Sequence, residues 1–142
     1  MRLLAIDPGT RASAWVSFDT ADLKVLGFAK EPNDVVLNRI TNMAPHVAEL
    51  SLEMIGHMGM SVGADVFETV LWAGRFVERF FSASPHDVAR VRKVMRAEVK
   101  FHLCGSARAK DPNVRQALVD LYGGGKDSAT PVVSTMIASR SG

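Results

Sequence analysis

The spacing of apolar residues predicts three β-strands at the start of the chain. The run from Arg2 to Asp7 is apolar up to its last residue and is followed by Pro8-Gly9. This pattern is typical of a buried strand that ends in a tight turn. Residues 12–18 and 24–29 are rich in small, β-branched and aromatic residues, with a polar turn between them. We therefore predict an antiparallel meander of three strands.

Beyond residue 30 the pattern alternates between helices and strands, which predicts an α/β fold with a mixed sheet. Ser84 and Pro85 indicate a helix start, because serine caps helices well and proline suits the first helical position. The predicted elements are a helix from residue 31, a strand in the second half of 46–55, helices from 65 and from 84, a strand over 99–104, and a helix from 111 to 123.

Length and composition favour a single globular domain. The chain has 142 residues, of which 47% are hydrophobic and 23% charged, as in typical soluble proteins. No apolar run approaches the ~20 residues that span a bilayer, and an acid with a Pro-Gly turn follows Met1 too soon for a signal peptide. A single cysteine, Cys104, fits a reducing compartment. These features predict a cytoplasmic protein without a membrane partner.

Positive charge is concentrated in one segment, although the net charge is only +2. Residues 90–115 contain eight basic residues against two acidic ones, Glu98 and Asp111. Such a segment forms either a contact surface for phosphate or an ordinary solvated surface. The basic residues of the segment are Arg90, Arg92, Lys93, Arg96, Lys100, Arg108, Lys110 and Arg115.

Two carboxylates stand out against the hydrophobic pattern. Asp7 closes the first strand, although it also suits the Asp-Pro-Gly turn that follows. Glu53 has an apolar residue on either side, and burial of an unpaired carboxylate is costly, so Glu53 needs solvent or a cation. If the first and fourth strands are neighbours, the two acids approach each other and favour a divalent cation. Oxygen ligands select hard ions such as Mg²⁺ or Mn²⁺.

Motifs around both acids resemble those of the RuvC family of Holliday-junction resolvases. Leu4 to Thr10 is similar to the first-strand motif, in which the aspartate is catalytic. Leu52 to Ile55 is similar to the second motif, whose glutamate follows an apolar pair at the end of the fourth strand. Residues 59–75 resemble the next helix of phage-type members, and residues 105–118 resemble their basic turn and helix, which meets DNA. The likeness extends from residue 2 to about residue 125.

This resemblance implies a ribonuclease H-like α/β fold, with a mixed five-stranded sheet and flanking helices. Residues 1–125 would form the nuclease domain, and residues 126–142 a C-terminal tail or shortened last helix. The implied activity is that of a structure-selective endodeoxyribonuclease that cleaves branched DNA, above all Holliday junctions. It would hydrolyse a phosphodiester with two Mg²⁺ ions, for which Mn²⁺ would substitute.

The catalytic and metal-binding residues implied by the resemblance are Asp7, Glu53 and Asp127. Asp7 would bridge the two ions, Glu53 would hold one, and Asp127 would hold the other. RuvC-like enzymes carry further acids near the start of an alanine-rich last helix, and Asp127 is the only acid beyond Gly125. Pro131 and the β-branched run after it depart from the family pattern, which leaves open whether another acid completes the site.

The resemblance also implies that basic side chains contact the DNA backbone. Arg108 and Lys110 precede a predicted helix and suit a phosphate near the scissile bond. Arg92, Arg96 and Lys100 recur every four residues and would share a helix face if the helix predicted from residue 84 extends that far. The predicted DNA-binding set is Arg92, Lys93, Arg96, Lys100, Arg108, Lys110 and Arg115.

A homodimer is expected, because a four-way junction has two-fold symmetry and symmetric nicking needs two sites. The phage-type motifs imply a role in branched viral DNA, in a bacterial cell or a phage-infected host. Two other functions stay open. One is a non-catalytic module that binds branched DNA with an incomplete metal site. The other is an ATPase of the actin and sugar-kinase superfamily, whose first phosphate loop also follows a strand that ends in Asp.

Overall fold

Five strands and four α-helices make up the part of the chain that the computed structural model describes, residues 1–56, 62–85 and 89–122. A single 3-10 turn, Ala44–His46, precedes the fourth strand. The strands are β1 (Arg2–Asp7), β2 (Ala12–Asp19), β3 (Lys24–Pro32), β4 (Glu49–Met54) and β5 (Arg90–Met95), and the helices are α1 (Asn33–Met43), α2 (Ala64–Ala83), α3 (Arg96–Cys104) and α4 (Asp111–Tyr122).

The strands form one mixed sheet in the order β3-β2-β1-β4-β5. The first three pair antiparallel, which confirms the predicted meander. β4 pairs parallel with β1 on one side and with β5 on the other. The carboxyl ends of β1, β4 and β5 therefore meet at one edge of the sheet.

The main core lies between the sheet and helices α1 and α2. Leu4 and Ile6 of β1, together with Leu50 and Leu52 of β4, are buried there. Their partners on the helices are Val36, Leu37, Ile40, Ala73, Phe76 and Phe80. Because side chains alternate along a strand, the residues between them face the other way. Leu3, Ala5, Val16 and Phe18 accordingly form a second buried cluster on the opposite face.

The structure differs from the prediction between residues 84 and 104. Ser84 ends α2 instead of starting a helix, and both its N–H and its hydroxyl donate to the Phe80 carbonyl. Residues 90–95 form a strand and 96–104 a helix, the reverse of the predicted order. The reason is tertiary, because β4 is buried and its second edge takes β5 as a parallel partner. Gly105, with a φ of 70°, closes α3.

None of the described helices combines the length and the apolar character that a membrane span requires.

Candidate metal centre

Asp7 and Glu53 come to the same edge and the same face of the sheet. Parallel pairing aligns Ile6 with Leu52, and the two acids are the next residues along these neighbouring strands. In-register residues of parallel strands point to the same side. Both carboxylates therefore lie on the face that also carries Leu3, opposite α1 and α2.

A buried polar network fixes the turn that follows Asp7. The Asn33 amide group donates to the Gly9 carbonyl at 2.9 Å, and the Ser13 hydroxyl donates to Asn33 Oδ1 at 2.6 Å. The Gly9 N–H in turn donates to Ser13 Oγ at 3.1 Å. A side chain at Gly9 has no room, because its Cβ would lie 2.2 Å from the Ala12 carbonyl oxygen. The end of β1 is thus held rigidly, which is what a metal ligand requires.

Glu53 is buried, with only 8% of its surface exposed, and a cation lies beside it. Arg96 Nη1 is 3.6 Å from Glu53 Oε1. This meets the requirement that a carboxylate between apolar neighbours be compensated by positive charge. The sequence left open whether solvent or a cation compensates Glu53, and the cation is Arg96 because β5 lies next to β4.

Burial raises the pKa of the Asp7 carboxyl above its usual range. Positive charge from Arg96 and Lys30 opposes this effect without cancelling it. A raised pKa means that the ionised carboxylate is disfavoured in the folded chain, so its contribution to stability falls as the pH rises through that pKa. A divalent cation next to Asp7 would reverse this penalty.

Arg96 connects the two acids to a third, Asp111, at the start of α4. Arg96 Nη2 donates to Asp111 Oδ2 at 2.9 Å, and Lys100 Nζ lies 3.4 Å from Asp111 Oδ1. The hydrogen bond to Asp111, followed by the charges of Glu53, Asp111 and Asp7, raises the pKa of the Arg96 guanidinium. The bond from Arg96 also lowers the pKa of Asp111. Positive and negative groups thus alternate along this edge of the sheet.

The chemistry of the carboxylates fits a hard divalent cation. Asp7 and Glu53 offer oxygen ligands from two rigid neighbouring strands, and the Arg96 guanidinium already occupies their surroundings as a cation. Within residues 1–56, 62–85 and 89–122, no three His, Cys, Asp or Glu side chains are close enough to form a complete cage. Asp127, the predicted third ligand, lies outside these ranges, as do residues 59–61 of the third motif.

Arg92, Arg96 and Lys100 do not share one helix face, because Arg92 lies on β5 while the other two lie on α3, so that prediction was wrong. Arg92 and Lys93 lie on β5, where successive side chains point to opposite faces. Arg92 aligns with Ser51, on the face of Glu53, and Lys93 aligns with Leu52, on the face of α1 and α2.

The remaining basic residues lie on α3, in the loop before α4 and on α4. Arg96 is the first residue of α3, and Lys100 follows one turn later. Arg108 and Lys110 are exposed in the loop before α4, and Arg115 lies within α4.

Sequence reasoning missed two contributions to the site. Asn33 and Ser13 hold the turn after Asp7, and the Asp-Pro-Gly motif gave no indication of distant partners. Asp111 was predicted only as a helix start, yet it pairs with Arg96 and Lys100. The one sequence signal for this contact was the four-residue interval between Arg96 and Lys100. On a helix this interval places both side chains on the same side, where they can reach the same acid.

Solved structures with the same fold include those of Thermus thermophilus RuvC. The structure of that RuvC aligns with a TM-score of 0.65 and 18% identity, over 97% of this chain and 92% of the other. RuvC in complex with a Holliday-junction substrate aligns with a TM-score of 0.70 and 16% identity, over the same shares of both chains. No family model matches the chain. No curated protein sequence matches it either. By its sheet, its helices and these structural neighbours, the chain has the mixed α/β fold of RuvC, as the sequence motifs predicted.

Proposed function

We propose that this protein is a metal-dependent endonuclease that cleaves branched DNA, with Holliday junctions as its main substrate. The observation that carries the proposal is the placement of Asp7 and Glu53 side by side at the carboxyl edge of β1 and β4. The buried Glu53 and the raised pKa of Asp7 support a role for both acids as ligands of a cation. The Holliday-junction complex of the Thermus thermophilus protein supports the choice of substrate.

Asp7, Glu53 and Asp127 would hold the metal. Mg²⁺ ions bound there would activate water and stabilise the departing 3′ oxygen, and Mn²⁺ would substitute. Arg108 and Lys110, exposed next to the start of α4, would bind phosphate near the scissile bond. The other proposed backbone contacts are Arg92, Lys93, Arg96, Lys100 and Arg115.

We also propose that the active form is a homodimer. Two active sites are needed to cut a two-fold symmetric junction symmetrically. An apolar surface suited to a second copy runs along α2, where Phe67 is 67% exposed, Leu71 60% and Val70 43%. The substrate would be branched DNA of a bacterial cell or of an infecting phage. Because such DNA lies in the bacterial cytoplasm, the protein would act there.

The test is cleavage of a synthetic four-way junction by the full chain and by Asp7→Asn. The wild-type protein is expected to cut the junction in Mg²⁺ and in Mn²⁺. Asp7→Asn should lose cleavage but keep junction binding, because the substitution removes a ligand and leaves the basic residues intact. Thermal unfolding without metal is the folding control. At neutral pH the variant should be at least as stable as the wild type, since it removes a disfavoured charge.

Two results would contradict the proposal and identify another function. Junction binding without cleavage in either metal ion would indicate a non-catalytic binding module. Nucleotide hydrolysis that needs no DNA would indicate an ATPase.

A further inference from the structure

Arg96 lies beside the candidate metal ligand Glu53, a contact that no sequence pattern indicated. It is the first residue of α3 and follows directly on β5. Its Nη1 atom is 3.6 Å from Glu53 Oε1, and its charge also acts on Asp7. The Arg96 guanidinium thus places one positive charge next to the carboxylates that would bind a divalent cation.

Two rigid elements determine where the Arg96 side chain begins. β5 pairs in register with β4, so that Glu53 aligns with Val94 and Met54 with Met95. The start of α3 is fixed by Glu98, whose Oε2 accepts the Met95 N–H at 2.7 Å. The backbone of Arg96 is therefore held at a set position relative to Glu53.

Asp111 holds the far end of the same side chain. Arg96 Nη2 donates to Asp111 Oδ2 at 2.9 Å, a shorter and stronger contact than the one to Glu53. Lys100 approaches the other Asp111 oxygen at 3.4 Å, which helps to keep Asp111 in place. The guanidinium is thus tethered between Asp111 and Glu53, with the tighter bond on the Asp111 side.

We propose that Arg96 is a positioning residue that sets the metal affinity of the site, by acting as a built-in counter-ion for Asp7 and Glu53. Arg96 stabilises the two carboxylates before a metal binds and therefore competes with it. Asp111 limits this competition, because its hydrogen bond draws the guanidinium away from Glu53. When Glu53 turns from Arg96 to the metal, the guanidinium stays paired with Asp111. The inference rests on the proposed metal site at Asp7 and Glu53.

The experiment measures Mn²⁺ binding to the full chain without DNA, by isothermal titration calorimetry. Arg96→Gln should bind Mn²⁺ roughly three- to tenfold more tightly than the wild type, because one positive charge near the ligands is removed. Arg96→Lys, which keeps the charge, should stay close to the wild type. Asp111→Asn should bind Mn²⁺ more weakly, and most of this loss should disappear when it is combined with Arg96→Gln.

The matched control is Arg2→Gln, which removes the same charge at the opposite end of β1 from Asp7. It should leave Mn²⁺ affinity unchanged. Thermal unfolding of each variant checks that it is folded, and Arg96→Lys with Asp111→Asn tests the inference even if Arg96→Gln fails to fold.

Failure of this inference is distinguishable from failure of the proposed function. If the wild type binds Mn²⁺ and Asp7→Asn does not, but Arg96→Gln binds as the wild type or more weakly, the counter-ion role is wrong and the metal site stands. If the wild type itself does not bind Mn²⁺, the proposed metal site is wrong and the inference falls with it.

Discussion

At the scale of single residues, Asn33 determines the shape of the turn behind Asp7. Its side chain is almost completely buried and uses both its donor and its acceptor, on Gly9 and Ser13. An Asn at the start of α1 therefore stabilises a turn that is more than twenty residues earlier in the chain. The position of Asp7 depends on this network as well as on its own strand.

Asn33→Ala tests this dependence. The change leaves the Gly9 carbonyl and the Ser13 hydroxyl without their buried partner, which should cost about 1–3 kcal/mol of unfolding free energy. Urea unfolding measures the loss. Asn38→Ala, at an exposed position of the same helix, is the control and should change stability much less. Equal losses in both variants would contradict a special role for Asn33.

At the scale of elements, the segment from 84 to 104 shows where local patterns mislead. Val99, Phe101 and Leu103 alternate with polar residues, which is why a strand was predicted. Residues 96–104 form the helix α3 instead, in which Val99 is buried and Phe101 is 63% exposed. Gly105 was the overlooked helix-stop signal, because its left-handed conformation closes α3 with an N–H bonded to the Phe101 carbonyl.

Two glycine substitutions should change stability in opposite directions. Gly105→Ala has open space but must adopt a φ of 70°, so it should lose about 1–2 kcal/mol. Gly74→Ala also has open space within one chain and lies within α2, so the monomer should gain about 0.5–1 kcal/mol from helix propensity. Urea unfolding of both variants against the wild type measures the difference. A loss of stability in Gly74→Ala would show that something packs closely against this helix face.

At the scale of the whole molecule, the two faces of the sheet differ in what covers them. One face carries α1 and α2 and the main core. The other face carries both candidate metal ligands, and Arg96, Lys100 and Asp111 cluster at its carboxyl edge. In the proposed dimer, the exposed side of α2 would contact a second copy. The edge of the sheet that carries Asp7 and Glu53 would stay accessible to DNA.

Leu71→Lys tests the proposed dimer. A charge in the middle of the exposed apolar side of α2 should shift the protein from twice the chain mass of 15.4 kDa to the mass of one chain. Sedimentation equilibrium measures the mass. Leu121→Lys, at a similarly exposed leucine of α4, is the control and should leave the dimer intact. A monomeric wild type, or a dimeric Leu71→Lys, would contradict the proposed interface.

The sequence by itself determined the meander, β4, α1, α2 and α4, because hydrophobic period and turn residues act over a few neighbours. It also singled out Asp7 and Glu53, since an acid at the end of a buried strand or between apolar residues stands out locally. The comparison of motifs then predicted the RuvC fold, which the structural neighbours confirm.

Only the tertiary structure decided which residues meet across long stretches of chain. The register of β1 with β4 brings Asp7 and Glu53 to one face, and the addition of β5 to the sheet places Arg96 beside Glu53. Local propensity cannot predict such pairings. Residues 90–95 suit a helix or a strand by composition, and they form a strand because β4 provides backbone hydrogen-bond partners along its free edge. The alternation of negative and positive side chains around Arg96 depends on this pairing of β5 with β4.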